Sequence, residues 1–169
     1  MENVQIAAVL LVVILALVVL KVSITVVRPD EAIVILRLGR ADRGMVRGPG
    51  LHFLIPVIDR PIRIGLRETV SEATVTGMSK DEVLLSVDLA VRWRVVDPLK
   101  SVLNVADVAE GLMSVASDEL RELDADDAIA NRDRVRDVME AKLNEVATRW
   151  GGTILRVEVR GVARAMRTS

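Results

Sequence analysis

A chain of 169 residues has room for one domain of ordinary size plus an appendage. With 51% hydrophobic and 28% charged residues it is too apolar to be disordered and too charged to be wholly buried, so the two characters must be segregated. A net charge of −1 argues against nucleic acid as the main partner, zero cysteines exclude disulfides and thiolate chemistry, and one histidine, His52, excludes any dyad or triad needing a second imidazole.

Residues 6–20 (IAAVLLVVILALVVL) carry no polar side chain. As a helix they measure about 22 Å, and continuation through residue 27 brings the length to about 33 Å, enough for a hydrocarbon core of roughly 30 Å. The reading is a transmembrane anchor over 1–27, with Ile6, Leu10, Ile14, Leu17 and Leu20 along it and Lys21 snorkelling at one face. A cleaved signal peptide fits less well, because the segment opens with Glu2 and continues as Lys-Val-Ser-Ile-Thr. A buried core helix fits less well still, because a helix apolar on every face needs burial all round. Lys21, Arg28, Arg37, Arg40, Arg43 and Arg47 follow the segment and no Lys or Arg precedes it, which places the remainder in the cytoplasm as a single-pass arrangement.

Beyond the anchor, 26–37 reads as a short strand, a Pro29-Asp30 turn and a second strand over 32–38. Residues 39–50 are turn-rich and end in Gly48-Pro49-Gly50. Short extended pieces are expected at 51–55 and 61–66, and longer strands at 68–75 and 83–96. In the last of these, Leu85, Val87, Leu89, Val91, Trp93 and Val95 alternate with Ser86, Asp88, Ala90, Arg92 and Arg94, a period of two that buries one face. Asp97-Pro98 ends it. Helices are expected over 99–104, 105–123 and 131–150. The last has Asn131 as N-cap, a stripe of Val135, Val138, Met139, Leu143, Val146 and Trp150, and Gly151-Gly152 as its stop. A final strand over 153–162 alternates Leu155, Val157 and Val159 with Arg156, Glu158 and Arg160. Strands, then helices, then a returning strand make an α+β domain over 28–163, an antiparallel sheet packed with helices, with a short tail at 164–169.

Charge is partitioned along the chain. Residues 28–67 carry about four more basic than acidic groups, whereas 107–150 carry about six more acidic than basic ones. A basic lobe beside a bilayer favours anionic headgroups, a plain solvated surface accounts for the same pattern, and lobes of opposite sign can also bring copies together.

The order and spacing of these segments resemble the stomatin/prohibitin (SPFH, band 7) family, in its stomatin/slipin-like branch. Val27-Arg28-Pro29-Asp30-Glu31-Ala32-Ile33-Val34-Ile35-Leu36-Arg37-Leu38-Gly39-Arg40 is similar to that family's first strands, with their "RLGR" turn. Arg47-Gly48-Pro49-Gly50-Leu51-His52-Phe53-Leu54-Ile55-Pro56 is similar to its "GPGLFFILP" loop, and Ser79-Lys80-Asp81-Glu82-Val83 to the segment that opens its long strand. Asn131-Arg132-Asp133 and Trp150-Gly151-Gly152 stand where the family starts and ends its long helix. The resemblance covers about residues 26–162.

The resemblance implies an N-terminal membrane helix followed by an SPFH domain. The function it implies is a non-enzymatic scaffold or adaptor that organises membrane microdomains and neighbouring membrane proteins. The alternative it leaves is a regulatory partner of a membrane protease, AAA-type or associated with an NfeD-like protein. Partners would be the lipid bilayer and further copies joined through the SPFH domain. For the loop residues Leu51, Phe53, Leu54 and Ile55, two placements stay open: core packing, or dipping into the membrane interface as the family is thought to do. Two departures stand out. The long Ala/Glu/Arg-rich helix that closes rings in the family is not represented beyond Ala163-Arg164-Ala165-Met166, and residues 6–20 lack the proline of the bent membrane hairpin of animal stomatins.

Chemistry is not indicated. There is no phosphate-binding glycine loop, zinc-binding H-E-x-x-H or nucleophile elbow, so no catalytic, cofactor-binding or metal-ligating residue is expected. Asp124, Asp126 and Asp127 lack the glycine turn and twelfth-position Glu of a calcium loop and read as helix-start chemistry. Trp93 and Trp150 read as core, and His52 as a turn or surface residue.

Overall fold

The computed structural model describes residues 2–41, 43–104 and 107–165, with side chains at all of these except 2–4, 7, 8 and 43. The chain separates into two compact units, Met1–Gly65 and Leu66–Ser169. Residues 105 and 106 of the expected 105–123 helix, and 166–169 of the tail, lie outside the described residues.

In the first unit, helix α1 spans Glu2–Ser23 and strand β1 spans Ile24–Val27. The helix therefore stops four residues short of the expected end. The run Ile24-Thr25-Val26-Val27 is β-branched throughout and pairs antiparallel with strand β4, Gly50–Phe53. The switch leaves helix carbonyls without helical donors. The Ser23 carbonyl is taken by the Leu54 amide at 2.8 Å, and the Ser23 hydroxyl donates back to the Val19 carbonyl at 2.7 Å. Among the described residues no helix is long and apolar enough to cross a membrane. The unbroken run of described side chains in α1, from Val9 to Ser23, measures about 22 Å against a hydrocarbon core of roughly 30 Å.

A three-stranded sheet completes this unit. Strand β2, Glu31–Arg37, lies between the short β3, Val46–Arg47, and β5, Asp59–Gly65, antiparallel to both. Ala32, Ile33, Val34 and Ile35 are all buried, and Val27, Ile33, Ile35 and Leu54 form a small core against which Met45 packs.

The second unit is a three-stranded antiparallel sheet with helices on one face. Its order is β6 (Thr69–Met78), β7 (Leu84–Val95), β8 (Gly152–Arg164). Between β7 and β8 run α2 (Pro98–Asn104), α3 (Val108–Glu119), a 3₁₀ turn (Leu120–Glu122), α4 (Ala125–Ala130) and α5 (Arg132–Arg149). The inward residues of β7 that the alternation marks out, Leu85, Val87, Leu89 and Val91, are buried against Leu112, Leu120, Met139 and Leu143. Trp93 and Trp150 pack against the same core, half-buried, and the Trp93 indole donates to Ser71 Oγ at 3.0 Å. Asn131 caps α5 as expected, its Oδ1 accepting from the Arg134 amide at 3.2 Å.

Close approaches explain two glycines. A Cβ on Gly77 would stand 2.5 Å from the Ser117 carbonyl oxygen, where α3 lies against β6 and Ser117 Oγ donates to the Thr76 carbonyl at 2.7 Å. Gly151, at φ +77°, has the Asp97 carbonyl oxygen 2.3 Å from its Cβ site and accepts the amides of Val96 and Asp97.

Two sequence expectations change here. Leu155 was expected to face the core with Val157, but it is exposed. Arg92 pairs with Arg156 while Trp93 pairs with Ile154, so Leu155 is the extra residue of a bulge, and Ile154 takes its place against the core. Helix α4 was not anticipated. Its first amide, of Ala125, donates to Asp81 Oδ1 in the β6–β7 loop at 3.0 Å, so the cap comes from 44 residues away while Asp124 makes no side-chain cap bond. Asp81 also accepts from Ser79 Oγ at 2.6 Å, and these bonds, the Ser79 one foremost, hold its carboxyl below the ordinary range.

The core and the distant cap are separately testable. Leu112→Ala should destabilise the protein by about 2–5 kcal/mol in denaturant titration, because a fully buried side chain leaves a cavity. A depressed folded-state carboxyl stabilises above the unfolded value, about 3.9, and that stability is lost as pH falls through it. Asp81→Asn should therefore weaken amide-exchange protection of α4 near neutral pH and flatten its loss below pH about 4.

Candidate membrane-facing surface

From Val9 to Leu20 every described side chain of α1 is exposed, and the large apolar ones lie between 47% and 68% exposed. Ile6, Leu10, Ile14, Leu17 and Leu20 are among the exposed residues. These five share one face, but the exposed side chains of residues 9–20 together turn to all sides of the helix, so α1 has no single buried stripe.

The β1–β4 ribbon continues this apolar surface. Ile24 stands opposite Phe53 and Val26 opposite Leu51. Directly opposed residues share a face, as do residues two apart, so these four side chains project from one side of the ribbon. All four are exposed. Removing such a patch from water would stabilise by roughly 3–6 kcal/mol, taking about half the full burial value for each side chain.

The four loop residues named from the sequence divide. Leu51, Phe53 and Ile55 are exposed, whereas Leu54 is 6% exposed and belongs to the small core with Val27, Ile33 and Ile35. Leu54 takes the core placement, because the alternation along β4 turns it inward once Phe53 faces out. The sequence reading places Ile24 in the helical span and starts the short strand only at residue 26; the alternation of Ile24 and Val26 about Thr25 is the signal for the earlier start.

Two turns stand beside the ribbon. In Arg37-Leu38-Gly39-Arg40 both central residues have positive φ, +51° and +79°, as in a type I′ turn, and the flanking arginines bond each other's backbone at 2.9 and 3.0 Å. In the neighbouring turn Val57 has φ +78° and is fully exposed. The amides of Ile58 and Asp59 donate to the Ile55 carbonyl, and the Leu38 amide donates to the Ile58 carbonyl at 3.2 Å.

Asp59 locks both turns. Its carboxylate accepts Arg37 Nε at 2.8 Å and Nη2 at 3.1 Å, and the Ile55 amide at 3.0 Å, with its side chain only 2% exposed. The Arg37 fork first, then the Ile55 amide, hold the Asp59 carboxyl below its usual range, while Asp59 raises Arg37. His52 Nε2 lies 2.8 Å from the Gly48 carbonyl and ties down the glycine-proline loop.

No set of three His, Cys, Asp or Glu side chains among the described residues could hold a metal ion. The acidic cluster is engaged in ion pairs: Asp126 with Arg164 at 2.5 Å and Asp127 with Arg134.

Two outcomes follow from this geometry. Val57→Gly should stabilise the protein by about 0.5–1 kcal/mol in a thermal melt, because a β-branched residue at positive φ is strained and glycine is not. Because the Asp59 carboxyl is depressed, its contribution is complete above the unfolded value of about 3.9 and is lost as pH falls below it. The protection of the Ile55, Ile58 and Asp59 amides relative to their intrinsic exchange rates should fall as the solution is acidified past pH about 4, and Asp59→Asn should show low protection without that acid step.

A family model described as SPFH domain / Band 7 family matches residues 25–164. Stomatin-4 of Caenorhabditis elegans is 35% identical over 142 residues, covering 81% of this chain and 50% of that protein. Protein unc-1 of the same organism is 36% identical over 147 residues, covering 83% and 51%. The stomatin homolog PH1511 of Pyrococcus horikoshii is 31% identical over 145 residues, covering 83% and 54%. The chain spans about half the length of these curated relatives. With a family model covering most of its length and relatives of this similarity, the chain belongs to the SPFH domain / Band 7 family, among proteins of the stomatin type.

Proposed function

We propose that this protein is a membrane-anchored, non-enzymatic scaffold. In this reading residues 1–27 hold it in the bilayer, the SPFH domain of 28–163 lies on the cytoplasmic side, and copies associate through that domain to organise lipid and neighbouring membrane proteins. The observation that carries the reading is the apolar belt of α1, exposed on every side and continuous with Ile24, Val26, Leu51 and Phe53 on the ribbon. In water such a surface drives aggregation, and in a bilayer it is satisfied. The apolar run 6–20 would measure about 22 Å, and the polar residues at the two ends of α1 would bring the helix to about 33 Å. Lys21, in the last turn, would then reach the headgroups on the side of the domain. Similarity to stomatins supports the same assignment.

Membrane fractionation of the full chain tests the anchor. The protein should stay with the membranes through an alkaline carbonate wash. Ile14→Lys should release most of it, because a lysine at mid-span costs about 2.5–3.5 kcal/mol. Release of the unaltered protein by carbonate would refute the anchor. Crosslinking in the membrane followed by sizing tests the scaffold, which requires homo-oligomers and fails if only monomer is recovered.

A further inference from the structure

A strand at the rim of a sheet offers a row of backbone donors and acceptors, which proteins usually blunt with a bulge, a proline or a lysine. The two rims of the second unit differ in this respect. Two register shifts break the pairing of β8. β6 pairs with β7 from Thr69 to Met78 without a shift, contains no proline or lysine, and carries one charge, Glu72, neutralised by the Arg160 fork. The hairpin shows which groups β6 turns outward. The Ser79 amide donates to the Val83 carbonyl at 2.8 Å, so Ser79 faces the partner strand, and so does every second residue before it: Gly77, Val75, Ala73 and Ser71. Val70, Glu72, Thr74 and Thr76 therefore direct their backbone groups away from β7. The Thr76 carbonyl accepts Ser117 Oγ at 2.7 Å, whereas the backbone groups of Val70, Glu72 and Thr74 have no partner beyond the strand among the described residues.

Past Thr76 the rim ends at a groove of about 850 Å³. Met78, Leu84 and Ala165 give the groove apolar surface, and Lys80, Arg121 and Glu82 line it with charge. Lys80 and Arg121 are exposed, and neither forms an ion pair among the described residues. Backbone contacts fix both positions. The Lys80 amide donates to the Leu123 carbonyl at 2.9 Å, and Arg121 belongs to the 3₁₀ turn whose Leu120 lies against Gly77.

We infer that the β6 rim takes an extended segment of a partner protein as an added antiparallel strand, with acidic residues at the segment's N-terminal end against Lys80 and Arg121. The open backbone groups of Val70, Glu72 and Thr74 match an extended chain, and the two cations match carboxylates. The direction follows both pairings already present in the sheet, β6 with β7 and β7 with β8. Because Ser117 occupies the Thr76 carbonyl, the ladder stops there and leaves the rest of the segment at the groove. The inference goes beyond the scaffold reading and needs neither the anchor nor self-association.

The full chain in detergent micelles is titrated with a fluorescein-labelled peptide, Asp-Asp-Gly-Thr-Val-Thr-Val-Thr, and with its Lys-Lys-Gly counterpart, and anisotropy reads binding. The acidic peptide should bind and should slow amide exchange at Val70, Glu72 and Thr74. The double variant K80E/R121E should bind it roughly fivefold or more weakly and should favour the lysine peptide. Thr74→Pro removes an outward amide that β7 does not use, and should abolish binding. Thr74→Ala loses the same hydroxyl bond to Asp88 but keeps the amide, and should bind as the unaltered chain does. No binding of the acidic peptide, equal binding of the two peptides, or slowed exchange confined to other strands each overturns the inference. So does a peptide-free oligomer that Thr74→Pro dissociates and Thr74→Ala does not, because the occupant is then a second copy. If Thr74→Pro does not fold, the exchange footprint and the charge reversal decide. Failure here leaves the anchor and the scaffold standing, since the carbonate wash and the crosslinking read those separately.

Discussion

The bond from the Leu54 amide to the Ser23 carbonyl sits where an apolar helix becomes a strand, and the first unit is organised around that change. A helix ending in water leaves its last carbonyls to solvent. Here one is taken by the strand-end backbone of β4, which starts the β1–β4 ladder. The ladder aligns Ile24 with Phe53 and Val26 with Leu51, and its other face brings Val27 into the core beside Leu54. The same junction therefore sorts apolar side chains into those that pack and those that project.

Strain and charge reinforce that arrangement. Two turns with residues in left-handed backbone conformations are held by one carboxylate, Asp59, which accepts the Arg37 fork and a backbone amide. The pair is costly to disturb because the Asp59 side chain is nearly inaccessible and is held by both prongs of the Arg37 fork. What it secures is the presentation of Leu38 and Val57, not a packed interior.

The second unit solves a different problem. Three strands present one apolar face, and α3, α4 and α5 with the 3₁₀ turn cover it within a single return of the chain. Close contact is bought by small residues at Gly77 and Gly151, where a Cβ would overlap a carbonyl oxygen. Long-range polar contacts set the remaining register. Asp81 caps α4, and Arg160, the extra residue between the Asp88–Gly161 and Leu89–Val159 pairs, reaches Glu72 with two bonds of 2.9 and 2.6 Å across β7.

Much of this was legible in the amino-acid order. Alternation through Leu85–Val91 fixed which face of β7 is buried, the stripe on α5 identified its packing side, and Asn131 and Gly151 marked its ends, because each of these signals depends on neighbours within a turn or a strand. The apolar character of residues 6–20 was equally local. What tertiary structure alone decided were matters of pairing. Ser23 ends α1 because β4 competes for Ile24–Val27, Leu155 turns outward because β7 imposes a bulge, and Leu54 separates from Leu51, Phe53 and Ile55 because it meets Val27 and Ile33. Local sequence sets what a segment can do, but a ladder's register and a loop's inward side depend on a partner strand whose position along the chain gives no local sign.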